Sequence, residues 1–225
     1  WLSSKKYISS FNIFLHSKIK LNKNTQILDV GCGRANIISS LNKKYKFKTQ
    51  PVGIDTVKNK NIKKNISFKK IDAIKFFKNT DKSFDLILIK QTIHFISKKK
   101  INSLLNLAKN HLNKNGKIMI CSLITRKNQI PSFKINKLKL NLSLKKNEIL
   151  NKEIKKNLKK YKIFFFKFKV NILRTKYIQM IKSRYISCLL KISNHHLEKG
   201  IEEIKSSHKN KIKFIDTLSC MVFEK

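Results

Sequence analysis

Between Thr25 and Leu123 the chain alternates short apolar runs with longer amphipathic stretches, and this alternation constrains the fold more than any other feature. The apolar runs lie at 26–31, 51–55, 66–71, 84–89 and 117–123. The run at 84–89 is continuous, as in central strands that are buried on both faces of a parallel sheet. Strands that alternate with helices predict right-handed crossovers and an α/β fold whose parallel sheet is covered on both faces.

Two helices are predicted inside this region. Residues 35–41 and 99–112 carry apolar side chains at helical spacing. The Asn115-Gly116 pair is predicted to end the second helix, because these residue types commonly follow a helix C-terminus. After Thr125 the pattern changes. The predicted elements there are a weakly periodic helix at 134–160, a strand at 163–172, helices at 177–192 and 197–207, and a strand pair or one bent strand at 212–223.

The charge of the chain is extreme. There are 52 Lys plus Arg against 12 Asp plus Glu, a formal net charge of +40, which favours nucleic-acid or anionic-membrane partners. However, only 4 of the basic residues are Arg, the residue that grips phosphate and guanine in two places. Lys, Asn and Ile, which A/T-rich codons encode, account for 104 of the 225 residues. We therefore attribute most of the charge to composition, and expect non-specific polyanion binding but no specific nucleic-acid partner.

The spacing of the cysteines and histidines limits the possible disulfides and metal sites and indicates the redox environment of the protein. The four Cys are widely separated without a C-x-x-C pair, which predicts free thiols in a reducing, cytoplasmic environment. His195 and His196 are adjacent, but no His or Cys grouping has zinc-ligand spacing, so no metal site is predicted. No apolar run approaches 18 residues, so no membrane span is predicted. Because the sequence starts at Trp1 rather than Met, we expect a truncated N-terminus.

The segment 27–33, Ile-Leu-Asp-Val-Gly-Cys-Gly, is the most informative part of the sequence. A strand that ends in G-x-G lets the backbone approach a ligand beside a helix N-terminus. Asp55 lies 22 residues after Gly33, at the end of the next predicted strand, where its carboxylate can accept both hydroxyl protons of a ribose. Dinucleotide sites and S-adenosylmethionine sites share both features.

Three further residues separate the two ligands. Asn36 stands where the dinucleotide motif needs its third glycine. Asp29 precedes the glycines, where an anion suits an ammonium group better than a pyrophosphate. Asp72 follows the third predicted strand, where a carboxylate can accept from an adenine amino group. Because the chain has only six Asp, these placements favour ligand contacts, although capping of helices or turns is the structural alternative.

Together these segments resemble the class I S-adenosylmethionine-dependent methyltransferases, over about Thr25 to Leu123. The matching pieces, in the family's order and spacing, are ILDVGCG, VGIDT, IDAIKF, FDLILIKQTIHF and LNKNGKIMI. The resemblance implies a Rossmann-like, doubly wound α/β sheet of seven strands in the order 3-2-1-4-5-7-6, with the last strand antiparallel. It also implies S-adenosylmethionine as cofactor. Residues 1–125 would form the cofactor-binding core, and 126–225 the remainder of the same domain with a helical lid and the final strands.

The resemblance also implies roles for individual residues. The implied cofactor-binding residues are Asp29, Gly31, Cys32, Gly33, Asp55, Thr56, Asp72, Ala73, Lys90 and Gln91. Asp29 with Gly31 and Gly33 would hold the methionine part, and Asp55 the ribose. The adenine would lie against Asp72 and Ala73, and Lys90 with Gln91 would face the methyl sulfonium.

Methyl transfer needs few catalytic groups from the protein, because the methyl group on the sulfonium is already activated. An in-line attack needs alignment, desolvation and sometimes a base. His94, just past the fourth strand, is the nearest candidate base, and Gln91 is a second candidate catalytic residue. In many relatives a His followed by an aromatic residue packs the start of a helix here, so a structural role for His94 is favoured.

The acceptor is the least determined feature. The fourth strand is followed by Lys90-Gln91-Thr92-Ile93 rather than the [DNS]-P-P-[YFW] loop of nucleic-acid amino-methylating enzymes. Cys121 ends the fifth strand, as the nucleophilic Cys does in RNA C5 enzymes, but their P-C pair is missing, which favours a core role.

The C-terminal third resembles the small-molecule branch of the family, the type 11 and trans-aconitate-type enzymes. A strand, then Thr175-Lys176-Tyr177, a helical stretch and a final strand follow in that branch's order. This implies that Arg184 and Tyr185 contact the substrate, with Arg184 clamping a carboxylate. The structural alternative is a surface Arg beside a packed Tyr. We therefore predict methylation of a small anionic metabolite. The alternatives are an RNA- or protein-directed enzyme that docks through its basic surface, and an inactive cofactor-binding relative.

Overall fold

The computed structural model describes every residue of the chain, Trp1–Lys225. The strands are β1 Ile27–Val30, β2 Val52–Asp55, β3 Ser67–Lys70, β4 Phe84–Lys90, β5 Leu112–Leu123, β6 Tyr161–Leu173 and β7 Lys211–Glu224. The α-helices are α1 Lys5–Lys18, α2 Asn36–Tyr45, α3 Ala73–Lys78, α4 Lys98–Asn110, α5 Lys134–Leu158, α6 Arg174–Lys182 and α7 Asn194–Ser207. Short 3₁₀ helices occur at Ile93–Phe95 and Ser187–Leu189.

The strands form one seven-stranded sheet in the order β3-β2-β1-β4-β5-β7-β6, which confirms the predicted order. The pairs β3-β2, β2-β1, β1-β4 and β4-β5 are parallel. β7 runs opposite to β5, because Ile124 bonds to Thr217 at one end while Lys225 bonds to Gly116 at the other. The sheet is therefore mixed, with the carboxyl ends of its first four strands at one edge.

The core of the sheet follows from the apolar run in β4. Leu86, Ile87, Leu88 and Ile89 are all fully buried, as expected for the centre of a sheet covered on both faces. Ile101, Leu104, Leu105 and Ala108 of α4 recur at helical spacing and belong to the same core cluster as β4. Burial of these aliphatic side chains removes apolar surface from water and provides the main stabilisation of the sheet.

The chain divides into two compact units. The sheet unit comprises Leu2–Ser122, Leu150–Phe166 and Leu218–Lys225, and the second unit comprises Trp1, Leu123–Ile149 and Lys167–Thr217. The predicted division at residue 125, with a helical lid after it, stays a prediction. None of the helices is both long and apolar enough to cross a membrane.

Two predicted element boundaries are wrong for local reasons. α4 ends at Asn110, and the Asn115-Gly116 pair lies inside β5. Asn115 has a positive φ of 62°, and the pairing of β4 with β5 is irregular at Phe84, so the turn-forming pair accommodates a distortion of the strand rather than ending the helix.

The helix predicted at 177–192 is shorter than expected. α6 ends at Lys182, and Arg184 adopts a left-handed backbone with φ 52° that a helix cannot continue through. The sequence also gave no prediction for α1. This helix begins after Ser4, whose hydroxyl accepts from the backbone N–H of Tyr7, and it buries Tyr7, Phe11 and Leu15 at i, i+4 and i+8.

Candidate functional site

A cavity of about 590 Å³ opens at the carboxyl edge of the first four strands. Parallel strands present their carboxyl ends together, so side chains that are far apart in sequence meet there. The lining residues are Val30, Gly31, Ile54, Asp55, Thr56, Val57, Ile71, Asp72, Ala73, Lys90, Gln91, Thr92, Phe95 and Ile96. Seven residues predicted to bind a cofactor therefore share one cavity.

The glycine turn after β1 packs against the loop after β4. Gly31 has φ 71°, and its N–H donates to Ile54 O at 2.8 Å. A Cβ on Gly31 would lie 2.2 Å from the Thr92 side chain, whose hydroxyl donates to Gly31 O at 3.3 Å. Gly33 has φ 56°, but a Cβ there would meet nothing within 4 Å. The close approach at Gly31 is thus to Thr92, whereas Gly33 borders open space.

Asp55 joins the end of β2 to this turn. Its Oδ2 accepts from the Gly33 N–H at 2.9 Å, and its Oδ1 accepts from the Val57 N–H at 3.0 Å. Each carboxylate oxygen has lone-pair capacity for a further donor. The carboxylate is therefore held in a fixed orientation beside the cavity by backbone groups on either side of it.

Asp72 is the N-cap of α3. Its Oδ1 accepts from the backbone N–H groups of Ile74 at 2.9 Å and Lys75 at 3.2 Å. The capping role considered for this residue is thus present, and both bonds end on the same oxygen. Ala73, the first residue of α3, lines the cavity next to it.

Asp29 lies in β1 and is buried, so it does not line the cavity itself. Burial raises the pKa of its carboxyl to about 7, the positive charge of Lys90 opposes that shift, and the negative charge of Asp55 adds to it. Cys32 is also outside the lining. Desolvation by burial raises the pKa of its thiol, so Cys32 is protonated at neutral pH.

Lys90, the last residue of β4, presents its ammonium group to aromatic rings of α1. Its Nζ lies 5.1 Å from the ring centroid of Tyr7 and 5.3 Å from that of Phe11, within cation–π distance. The same atom lies 3.4 Å from Gln91 Oε1. These contacts hold a positive charge at the carboxyl end of the central strand.

Gln91 has a strained backbone, with φ 52°. Its N–H donates to Cys121 O at 2.7 Å, which ties the end of β4 to β5 and holds the residue in the left-handed region. Cys121 itself is fully buried, and burial together with a hydrogen bond to Cys220 raises the pKa of its thiol. A buried, protonated thiol is not a nucleophile, so the structure places Cys121 in the core.

His94 does not line the cavity. Its ring packs against Phe95 with centroids 4.1 Å apart, and burial lowers the pKa of the imidazole. Phe95 does line the cavity and is 66% exposed. The 3₁₀ helix that contains both residues therefore presents the phenyl ring, rather than the imidazole, to this space.

Arg184 and Tyr185 belong to the second unit, where their polar atoms already have partners. Arg184 Nη1 donates to the carbonyl oxygens of Leu189 and Ile192, and Nη2 donates to Asn194 Oδ1 at 2.9 Å. The Tyr185 hydroxyl lies 3.0 Å from that of Tyr177. The Arg184 bonds hold the segment after α6 in place, and a substrate role for either residue stays a prediction.

Sequence reasoning missed four contributors to the region. Thr92 supports the glycine turn, Val57 lines the cavity, and Tyr7 with Phe11 cover the Lys90 ammonium. Thr92 and Val57 each lie within two residues of a predicted site residue, so extending the motif along the loop would have found them. The α1 aromatic residues carried no local signal, because only the fold brings them to β4.

No group of three or more His, Cys, Asp or Glu side chains is arranged to hold a metal ion.

A sequence profile described as a methyltransferase domain matches residues 21–170, more than half of the chain. The chain belongs to this methyltransferase family. It is a class I S-adenosylmethionine-dependent methyltransferase, as the resemblance predicted, and S-adenosylmethionine is its cofactor. A comparison with curated proteins gives no match.

Solved structures of other methyltransferases share the fold. A putative methyltransferase from an antibiotic biosynthesis pathway of Anabaena variabilis superposes with a TM-score of 0.68 at 12% identity, covering 95% of this methyltransferase and 96% of that chain. An S-adenosylmethionine-dependent methyltransferase from Archaeoglobus fulgidus gives a TM-score of 0.54 at 19% identity, with coverage of 97% and 94%. The plantazolicin methyltransferase BamL, in complex with a triazolic desmethylPZN analog and SAH, gives 0.54 at 18% identity, with coverage of 96% and 84%.

Proposed function

We propose that this methyltransferase transfers the methyl group of S-adenosylmethionine to a small anionic metabolite, as the type 11 and trans-aconitate-type branch does. The observation that carries the proposal is the placement of Lys90. Lys90 lines the cavity and its charge interacts with the buried Asp29 carboxyl, and a further negative charge on the open side of the cavity would also be attracted to it. An anionic acceptor would supply that charge.

The residues around the cavity fit the cofactor. The carboxylate of Asp55 is oriented for the two ribose hydroxyls, and the remaining oxygen of Asp72 is available to an adenine amino group. Gly33 leaves open space where a side chain would stand, which suits a close approach of the methionine part. The buried carboxyl of Asp29, charged or protonated near neutral pH, suits the ammonium group of that part. Cys32 and Thr56 would contribute backbone or side-chain contacts beside these groups.

Lys90 and Gln91 would then face the acceptor at the end of β4. The Lys90 ammonium contacts two aromatic rings and donates to the side-chain amide oxygen of Gln91, so it is positioned before any ligand arrives. A prepositioned cation both selects an anionic acceptor and holds it in line for attack on the methyl carbon. An acceptor that is already deprotonated needs no general base, and the two carboxylates that line the cavity, Asp55 and Asp72, are proposed above to bind the cofactor.

The test is a screen followed by one substitution. Small carboxylic acids, phosphates, amines and thiols are incubated with the enzyme and S-adenosylmethionine, and a mass gain of one methyl group is measured. We expect turnover among the anions. In Lys90→Met the KM for the anionic acceptor should rise about tenfold or more, as loss of a charge-assisted contact predicts, while S-adenosylhomocysteine affinity falls by no more than about threefold.

Lys100→Met is the matched control, because Lys100 is an exposed lysine outside the cavity, and its KM should be unchanged. Turnover of neutral or cationic acceptors only, or of an RNA or protein only, would refute the proposal. So would a Lys90→Met enzyme that methylates the anionic acceptor with an unchanged KM.

A further inference from the structure

The solvent-facing side of α5 in the second unit carries a row of large aliphatic side chains. Leu138, Leu142 and Ile149 are 61%, 60% and 55% exposed. Steps of four and seven residues place them on the same side of the helix. Leu140 and Leu144, on another side, are buried and attach the helix to its unit. The exposed row therefore lies on a side of α5 that does not face the core of the unit.

A fourth exposed aliphatic side chain belongs to a segment that is bonded to α5. The Lys139 ammonium group donates to Lys191 O at 2.7 Å, which holds the segment around Leu190 beside α5. Leu190 is 60% exposed. Single exposed leucines are ordinary on protein surfaces, but several grouped together mark an interaction site. We call Leu138, Leu142, Ile149 and Leu190 the α5 patch.

The surroundings of the α5 patch are strongly basic. Lys145 lies within the row, between Leu142 and Ile149, and the exposed residues Lys134, Lys137 and Lys146 flank it. Glu148 is the one acidic residue of α5 in this unit, and Arg126 pairs with it at 3.1 Å. Glu203 of α7 lies at the start of α5, where its carboxylate accepts from the Lys134 N–H at 2.8 Å, so the border is mainly but not wholly basic. An aliphatic row with a mainly basic border matches the two layers of an anionic lipid surface, in which acyl chains lie beneath charged headgroups.

We propose that the α5 patch binds the surface of an anionic lipid bilayer. The four aliphatic side chains enter the boundary between headgroups and acyl chains, and the lysines lie against the anionic headgroups, as in amphipathic helices that lie in the plane of a membrane. A nucleic acid would engage the lysines but would leave the aliphatic row in water. The aliphatic row is thus the feature that distinguishes a lipid surface from other polyanions.

Vesicle co-sedimentation with the full chain tests the proposal. Binding is measured on phosphatidylcholine vesicles and on mixed phosphatidylcholine–phosphatidylglycerol vesicles. We expect binding to the mixed vesicles to exceed binding to the neutral ones by about tenfold or more, because each lysine adds electrostatic attraction. The triple substitution Leu138→Ser, Leu142→Ser, Ile149→Ser should lower affinity for the mixed vesicles by about tenfold or more, because the buried apolar area is lost.

The matched control is Ile13→Ser, Phe165→Ser, Leu173→Ser, which removes three exposed apolar side chains elsewhere on the chain and should bind as the unmodified protein does. A second variant, Lys134→Gln, Lys145→Gln, Lys146→Gln, should lose binding to the mixed vesicles as well. Circular dichroism confirms that each variant is folded.

Two results overturn the proposal. One is unchanged vesicle binding by the serine variant of the patch, since the lysines alone would then account for it. The other is a serine variant that loses affinity equally for a single-stranded RNA of random sequence and for the mixed vesicles, because a general loss does not identify lipid. Unchanged RNA binding together with lost vesicle binding supports the proposal.

Discussion

Gly31 and Gly33 share a left-handed backbone, but a Cβ would meet Thr92 at Gly31 and nothing at Gly33. The pair therefore allows the energetic cost of backbone conformation to be separated from the cost of steric overlap. Gly33→Ala should lower the free energy of unfolding by about 1–2 kcal/mol, the cost of a non-glycine residue in that region. Gly31→Ala should cost about 2 kcal/mol more, because its Cβ would overlap Thr92. Urea unfolding of both variants measures the difference, and equal losses would show that the Thr92 contact is unimportant.

Asp55 allows a direct test of the proposed ribose contact. Asp55→Ala should lower affinity for S-adenosylhomocysteine about 10- to 100-fold, since charge-assisted hydrogen bonds worth roughly 1.5–3 kcal/mol are lost. Isothermal titration calorimetry measures the affinity. Because Asp55 also accepts from Gly33 and Val57, Ser193→Ala serves as a comparison that removes a helix cap outside the cavity, about 1 kcal/mol of stability. Unchanged affinity in a folded Asp55→Ala protein would contradict the ribose assignment.

The pKa of Asp29 makes stability depend on pH in an unusual direction. Its folded-state pKa of about 7 lies above the unfolded value of about 3.9, so between these values the folded state binds more protons than the unfolded state. This group therefore favours folding below about pH 4, and its contribution is lost as pH rises to 7. Asn has no ionisable carboxyl, so Asp29→Asn should remove the fall in folding stability that occurs as the pH rises from about 4 to 7. We expect the variant to gain stability relative to the unmodified protein between pH 5 and about 8 in urea unfolding; a constant difference would disprove the assigned pKa.

At the scale of elements, the parallel strands were predictable because each is a short, nearly continuous apolar run. The same reasoning brought Asp55, Asp72 and Lys90 to one cavity, since the ends of parallel strands meet. The shorter α6 was not predictable, because the apolar periodicity of 177–192 continues past the residue where the backbone turns left-handed. Nor could the sequence place α1 against Lys90, because that contact joins residues more than 75 positions apart and has no local signature.

The packing of α7 provides a test at the same scale. A Cβ on Gly200 would lie 2.2 Å from the Phe133 ring, so the helix approaches the segment before α5 only because this residue is glycine. Gly200→Ala should lower the free energy of unfolding by about 1–3 kcal/mol, despite the better helix propensity of alanine. Adding Phe133→Leu should recover part of that loss, because the smaller side chain makes room. Thermal unfolding of the single and double variants measures the coupling, and strictly additive losses would reject the steric explanation.

At the scale of the whole molecule, the net charge of +40 acts against the fold. With 12 acidic residues against 52 basic ones, the acidic residues cannot neutralise most of the lysines, which therefore repel one another. The salt bridges of Lys98, Lys117, Arg126 and Lys205 join side chains that are partly exposed and contribute little. Salt screens this repulsion, since the Debye length falls from about 30 Å at 0.01 M to about 10 Å at 0.1 M. The unfolded chain, being expanded, gains less from the same screening.

We therefore expect the melting temperature to rise by several degrees between about 0.01 M and 0.1 M sodium chloride, where the screening length changes most, and then to level off. Differential scanning fluorimetry at fixed pH measures it, with sucrose at matched osmolality as the uncharged control. A protein stabilised mainly by ion pairs would respond in the opposite direction, because salt weakens attraction as well as repulsion. A melting temperature that falls with salt would mean that the few acidic residues, rather than the many lysines, dominate the electrostatic energy of the folded state.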